Sequence, residues 1–200
     1  MPKEKIFNIP NLLSFYRLLT FPFVLWMVYA EEETLFAIFL CINLITDILD
    51  GIIARTFNLQ TEFGARLDSL ADNGTYILAF LGIYKFKIEL LSGYIWMLWL
   101  YVTLFILGYL VSYLKFKRFQ SLHLYSTKVG GYLQGIFFFI LFAQTYNQNL
   151  YYAAMIIGYL SCIEEVIILL ILKDLKSNVK GLFWVLKDSK QATINQKVEV

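Results

Sequence analysis

The sequence predicts an all-α, polytopic membrane protein with six transmembrane helices and an N-terminal interfacial helix. Three observations predict it. Hydrophobic residues fill 59% of the 200 positions and charged residues only 16%, which leaves too little polar surface for a water-soluble body. The apolar residues gather in long runs separated by short charged segments, and about 20 such residues cross the hydrocarbon core as a helix. Aromatic residues reach 18%, and Trp and Tyr favour membrane interfaces.

In chain order, residues 1–16 mix apolar side chains with Lys3, Lys5 and polar groups, and Pro10 suits a helix's first turn. This is the expected interfacial helix. The first span is 18–30, extended back through Leu12. Its end, Val28-Tyr29-Ala30, resembles a signal-peptide cleavage site, but the whole run is long enough to span. An acidic loop, Glu31-Glu32-Glu33, leads to the second span at 34–54. A polar connection, 55–63, precedes the third span at 64–84, inside which Asp72-Asn73-Gly74 also reads as a turn signal. After a short loop at 85–92, the fourth span at 93–114 is rich in Trp and Tyr. The basic connection 115–128 leads to the fifth span at 129–143, and a neutral turn at 144–149 leads to the sixth at 150–172. Residues 1–172 thus read as one six-span domain and 173–200 as a charged tail. Within the tail, 179–186 is apolar with Trp184 and suits a membrane-surface helix.

Charge asymmetry gives an orientation. An even number of spans puts both termini on one side, with Lys3, Lys5, Arg17, Arg55, Arg66, Lys115, Lys117, Arg118, Lys128 and the lysines of the tail. The other side has only Lys85 and Lys87. By the positive-inside rule both termini are expected in the cytoplasm. Cys41 and Cys162 lie in apolar stretches without a CxxC motif, which suits small buried residues rather than a zinc site. His123 is the only histidine, so chemistry that needs a His pair is excluded.

The stretch 47–72 carries the chemistry. Asp47 and Asp50 stand three apart in the second span, and Asp68 and Asp72 four apart in the third. On helices both spacings put side chains on one face. Two facing helices would aim four carboxylates into one cleft. A charge at the bilayer centre costs about 2.5–3.5 kcal/mol on insertion scales, so such a group needs counter-charge. Ion pairs with Arg55 and Arg66 cannot neutralise four carboxylates; oxygen ligation suits Mg²⁺, Mn²⁺ or Ca²⁺, and a metal pair can clamp a phosphoryl group. Gly51, Ala54 and Gly64 leave room for a ligand's close approach, and Arg55 can fork onto phosphate oxygens. The site is expected near the cytoplasmic leaflet.

The pattern D-x2-D-G-x2-A-R-x8-G-x3-D-x3-D resembles the signature of the CDP-alcohol phosphatidyltransferases, and every fixed position is filled. The resemblance implies a polytopic membrane enzyme that moves a phosphatidyl or phospho-alcohol group from a CDP-linked donor to an alcohol and releases CMP. It implies two divalent metal ions, Mg²⁺ or Mn²⁺, on Asp47, Asp50, Asp68 and Asp72, with Asp50 and Asp68 bridging. Asp72 would also accept the proton of the attacking hydroxyl, and Gly51, Ala54 and Gly64 would line the cytidine site beside Arg55. The Ile-Pro-Asn entry followed by Arg17 is also similar to the family, which places Arg17 near headgroup or donor phosphates; the alternative is a positive anchor. Many members have a Lys soon after the last aspartate, where this chain has Asn73 and Gly74. The favoured donor is CDP-diacylglycerol and the favoured acceptor glycerol 3-phosphate, ahead of inositol phosphate, serine and phosphatidylglycerol. A homodimer is expected, and nucleic acid is not expected as a partner.

Two further groups remain. Lys117, Arg118 and Lys128 could hold a phosphorylated acceptor, or serve anionic-lipid attraction. Glu164 and Glu165 interrupt the sixth span, and intramembrane acids are candidates for function, either paired with lysines of other spans or lining an acceptor cavity. The competing class is a divalent cation channel or transporter, disfavoured by the lack of an evident repeat; an inactive scaffold is disfavoured by the complete aspartate set.

Overall fold

The structure is a computed structural model that describes residues 7–118, 122, 124–172, 174 and 179–187. Among them the only regular secondary structure is helical: α1 (Ile9–Tyr29), α2 (Glu33–Thr56), α3 (Glu62–Gly82), α4 (Ile95–Phe116), α5 (Tyr125–Ala143) and α6 (Gln148–Ile171). A π-helical turn at Ile83–Lys87 and a 3₁₀ turn at Ile88–Leu91 follow α3. His123, Lys3, Lys5 and most of the tail lie outside the described residues.

Five helices are long and apolar enough to cross a membrane: α1, α2, α4, α5 and α6. The remaining long helix, α3, has 21 residues but carries Glu62, Arg66, Asp68 and Asp72. The expected third span is therefore present as a helix, and its charges set it apart. The chain is an integral, multi-pass membrane protein.

Local chemistry sets the helix starts. Asn8, Thr61 and Asn147 cap α1, α3 and α6 by accepting the backbone N–H three residues on, at 2.8, 2.9 and 3.0 Å. Because Asn8 caps and Pro10 follows in the first turn, α1 starts at Ile9 and runs unbroken to Tyr29. Among the described residues there is no separate interfacial helix: 9–16 is the first part of the first membrane helix. The Asn73-Gly74 signal does not break α3. Gly74 serves packing instead, since a Cβ there would come within 3.2 Å of the Phe21 ring on α1.

The helices fall into two compact units. The first comprises 1–92 and 138–146, the second 93–137 and 147–200. In the first, Val24, Met27, Phe36, Leu40, Leu78 and Ile83 form the buried core. Phe36 meets Phe142 edge-on at 5.4 Å, and a side chain at Gly82 would collide with the Phe36 ring. Glu31 pairs with Lys85 at 2.5 Å and Glu33 with Lys87 at 2.6 Å, so the α1–α2 turn is tied to the turn after α3.

In the second unit the helices join through polar tips on apolar bodies. Tyr159 donates its hydroxyl to the Met97 carbonyl at 2.7 Å, Tyr151 to the Tyr94 carbonyl at 2.9 Å and Tyr101 to Gln134 at 3.2 Å. Lys115 donates to the Leu169 and Leu170 carbonyls at 3.0 and 2.7 Å, satisfying exposed acceptors near the end of α6. The tail takes part in this unit. Residues 182–187 are helical, and Val185 packs with Leu122, Leu124, Ile168 and Leu169. Glu164 on α6 accepts the Leu182 N–H at 2.8 Å and the Ser126 hydroxyl. Tyr125 donates its N–H to the Lys180 carbonyl at 3.1 Å. Among the described residues Glu164 thus meets a hydroxyl and a backbone amide, not a lysine of another span.

Candidate active site

Helix α2 has two faces. Ile38, Ile42, Ile45, Leu49 and Ile52 repeat at four and three residues and are exposed, as a lipid-facing stripe requires. Phe36, Leu40, Asn43 and Asp50 are buried on the other side, and Asp47 shares that side at helical spacing. On α3, Asp68 and Asp72 stand one turn apart and frame the buried Ala71. Helix α1 contributes a polar stripe at intervals of three: Asn11, Ser14 and Arg17, all buried.

All four carboxylates converge on Arg17. Its Nη1 lies 2.6 Å from Asp47 and 2.8 Å from Asp72; its Nη2 lies 2.6 Å from Asp50 and 2.7 Å from Asp68. Each η nitrogen therefore takes one carboxylate from α2 and one from α3, which uses all its N–H groups. Arg17 cross-braces three helices from its position at the centre. The Arg17 side chain is 1% exposed and that of Asp50 4%, whereas Asp47, Asp68 and Asp72 keep 40%, 41% and 40%. The cluster is sealed on the α1 side and open on the other. Ser14 donates its hydroxyl to Asp50 at 3.2 Å.

In the structure Arg17 is buried and pairs with the aspartates, so it is no surface anchor. It also leaves the list of loop charges that set orientation, without changing the sign of the asymmetry. The sequence offered one signal for it: Asn11, Ser14 and Arg17 form a polar stripe at helical spacing on a segment otherwise apolar enough to enter the membrane.

The cluster fits hard cations. Its donors are all carboxylate oxygens, and one oxygen from each of Asp47, Asp50 and Asp68 lies within 4.8 Å of the others. A cation at about 2.0–2.6 Å from its ligands reaches all three. Four carboxylates against one guanidinium leave a formal charge of −3, which a divalent ion would reduce.

The other predicted residues have definite places. Arg55 is exposed and folds back over Gly51, where a Cβ would lie 3.3 Å from its guanidinium. Ala54 is half-buried one residue before it. Gly64 opens α3, and a side chain there would collide with Asn11 and Thr61, so this glycine has a packing reason of its own. Lys117, Arg118 and Lys128 belong to the second unit. There Lys117 ends α4 with φ 56° and lies 5.7 Å from the Tyr113 ring, while Lys128 lies 5.8 Å from the Tyr125 ring. Asn43, one turn before Asp47, is a buried amide that sequence reasoning passed over; neither side-chain atom has a hydrogen-bond partner among the described residues.

Fold and site together define a class: a polytopic helical membrane protein whose polar chemistry lies in a carboxylate cluster shared by two helices. The chain belongs to the CDP-alcohol phosphatidyltransferase family, whose model matches residues 7–171. That family is metal-dependent. Over 69 residues the chain is 44% identical to a CDP-diacylglycerol--glycerol-3-phosphate 3-phosphatidyltransferase of Salmonella choleraesuis, a match covering 33% of this chain and 38% of that protein. The protein of the same description in Escherichia coli is 39% identical over 69 residues, with the same coverage. A cardiolipin synthase (CMP-forming) / mitochondrial hydrolase fusion protein of Schizosaccharomyces pombe is 41% identical over 70 residues, covering 35% of this chain and 12% of that protein. The chain thus spans about 38% of the length of the first curated relatives it matches. No solved structure matches it.

Proposed function

We propose that the chain transfers the phosphatidyl group of CDP-diacylglycerol to an alcohol and releases CMP. One observation carries this: the four aspartates of the signature meet in one cluster, exposed on one side, with the right donor chemistry for divalent ions. Asp47, Asp50, Asp68 and Asp72 would hold two such ions, Mg²⁺ or Mn²⁺. When bound, those ions supply Lewis-acid polarisation of the phosphoryl oxygens and neutralise the charge that develops on them.

The chain's own residues do the rest. Asp72 accepts the proton of the acceptor hydroxyl as its oxygen attacks the lipid-side phosphorus. The new P–O bond forms as the bond to CMP breaks, and Arg55 pairs with the departing phosphate. Gly51, Ala54 and Gly64 line the cytidine site. Lys117, Arg118 and Lys128 are the candidate contacts for a phosphorylated acceptor. Glycerol 3-phosphate is the favoured acceptor, supported by the names of the Salmonella and Escherichia relatives. A lipid alcohol such as phosphatidylglycerol is the second reading, favoured by the likeness to a protein named as a cardiolipin synthase. The charge asymmetry supports a site and both termini in the cytoplasm.

The test is CMP release by purified protein from labelled CDP-diacylglycerol, with Mg²⁺ or Mn²⁺ and a panel of acceptors. Release is expected with glycerol 3-phosphate and is expected to stop on chelation. Metal-ion flux into proteoliposomes without CMP release would replace this reading with a channel or transporter.

A further inference from the structure

Arg17 occupies the centre of the carboxylates that are read above as cation ligands. We propose that it is a resident counter-ion that changes places with the divalent cations. Without them its guanidinium holds the four aspartates together; when they bind, it leaves the cluster. This rests on the proposed function, which makes the aspartates cation ligands.

Three observations carry it. First, the contacts compete. The four Nη–O distances of 2.6–2.8 Å put the guanidinium protons on the inward carboxylate oxygens, the same oxygens that a cation would need. Two cationic groups on one set of oxygens repel at close range. Second, the charges match the exchange. Arg17 leaves the cluster at a formal −3, whereas two divalent ions neutralise four carboxylates completely and leave the guanidinium without a partner there. Third, the carboxylates are the acceptors that hold this side chain among the described residues. Its Nε is buried with no hydrogen-bond partner among the described residues, and its ion pairs among them go to the cluster. Once cations take those oxygens, no other hydrogen bond among the described residues holds the guanidinium there. A displaced guanidinium is also the group best shaped to fork onto a phosphate, so Arg17 would act on the ligand only after the cations arrive.

The experiment uses the full chain in lipid nanodiscs. Phenylglyoxal modifies exposed arginines, and mass spectrometry reads the extent at Arg17. In EDTA Arg17 is expected to be protected, as its burial requires; with saturating Mn²⁺ it is expected to be modified at least tenfold faster, while Arg66, exposed in the structure, reacts equally in both. In parallel, Mn²⁺ binding is measured by the electron paramagnetic resonance signal of the free ion. Arg17→Met is expected to bind Mn²⁺ at least tenfold more tightly than the natural chain, and to melt lower in EDTA but not in Mn²⁺. If Mn²⁺ binds and Arg17 stays protected, the exchange is overturned and the cation site stands. If neither form binds Mn²⁺, the cation reading fails and takes the exchange with it. Should Arg17→Met not fold, the labelling of the natural chain decides alone.

Discussion

Glu164 and the four aspartates are all carboxylates set into helices that are otherwise apolar, yet they meet different partners. Glu164, on α6, is satisfied by neutral donors: the Ser126 hydroxyl and the Leu182 amide. Together these join α5, α6 and the tail. The aspartates of α2 and α3 have a cation at their centre. The difference follows from number. One carboxylate can spread its charge over two or three hydrogen bonds, but four within a few ångströms repel one another, and neutral donors do not cancel that. A lone acid in a membrane helix can therefore serve as a structural fastener. A cluster demands positive charge, and so can become a place where positive charge is exchanged.

The largest expected effect breaks the comparison at its chemical end. Asp72→Asn should lower CMP release by about 10²–10⁴-fold, the range for loss of a proton acceptor, while Glu164→Gln, the same kind of change, keeps most of the rate. Equal losses would put Glu164 in the reaction. Next comes the fastener itself. Glu164→Ala removes two hydrogen bonds to a charged acceptor and should cost about 3–6 kcal/mol, read as lost hydrogen-exchange protection at Leu182 and around Val185. An unchanged exchange pattern would mean that the tail is held by Val185 packing alone.

A smaller effect has the opposite sign. Asp68→Asn takes one negative charge from a cluster that carries an excess of three, so in EDTA it should raise the melting temperature rather than lower it. A fall would show that the ion pair with Arg17 outweighs the repulsion. The smallest effect is at Glu31. Lys85 donates a hydrogen bond to it and attracts it, which lowers its pKa below the ordinary glutamate value. The sign follows: any stability from this pair is present above the ordinary glutamate range and is lost as pH falls through the lowered folded value. Because Glu31 is exposed, Glu31→Gln should leave the melting temperature unchanged within error at neutral pH; a clear drop would make the pair a structural clamp.

Much of this was legible in the sequence, for physical reasons. The hydrophobic runs gave all six long helices to within a few residues, except that α1 begins at Ile9 and α5 at Tyr125. The three- and four-residue spacings put the aspartates on facing sides, because helical periodicity is local. The hidden parts depend on contacts far apart in the chain. Arg17 lies 30 to 55 residues from its partners, and one arginine near an N-terminus reads as well for an anchor as for a core ion pair. Glu164 meets groups 18 and 38 residues away, one in a tail whose composition suggests only a membrane-surface segment. Asn73-Gly74 has the composition of a turn, but α3 runs through it, and Phe21 of α1 lies close over Gly74.

The lysine pairs beyond α3 have a mechanical consequence. Glu31–Lys85 and Glu33–Lys87 lie at one end of the three-helix unit, and Arg17 joins its helices near the other, roughly 20 Å away along α1 at 1.5 Å per residue. That second end is closed by more than Arg17: the short 57–61 connection joins α2 to α3 there, and the Asn8 amide donates to the Leu59 carbonyl at 3.2 Å. A change at Arg17 alone therefore leaves α1, α2 and α3 joined at the end that carries the aspartates.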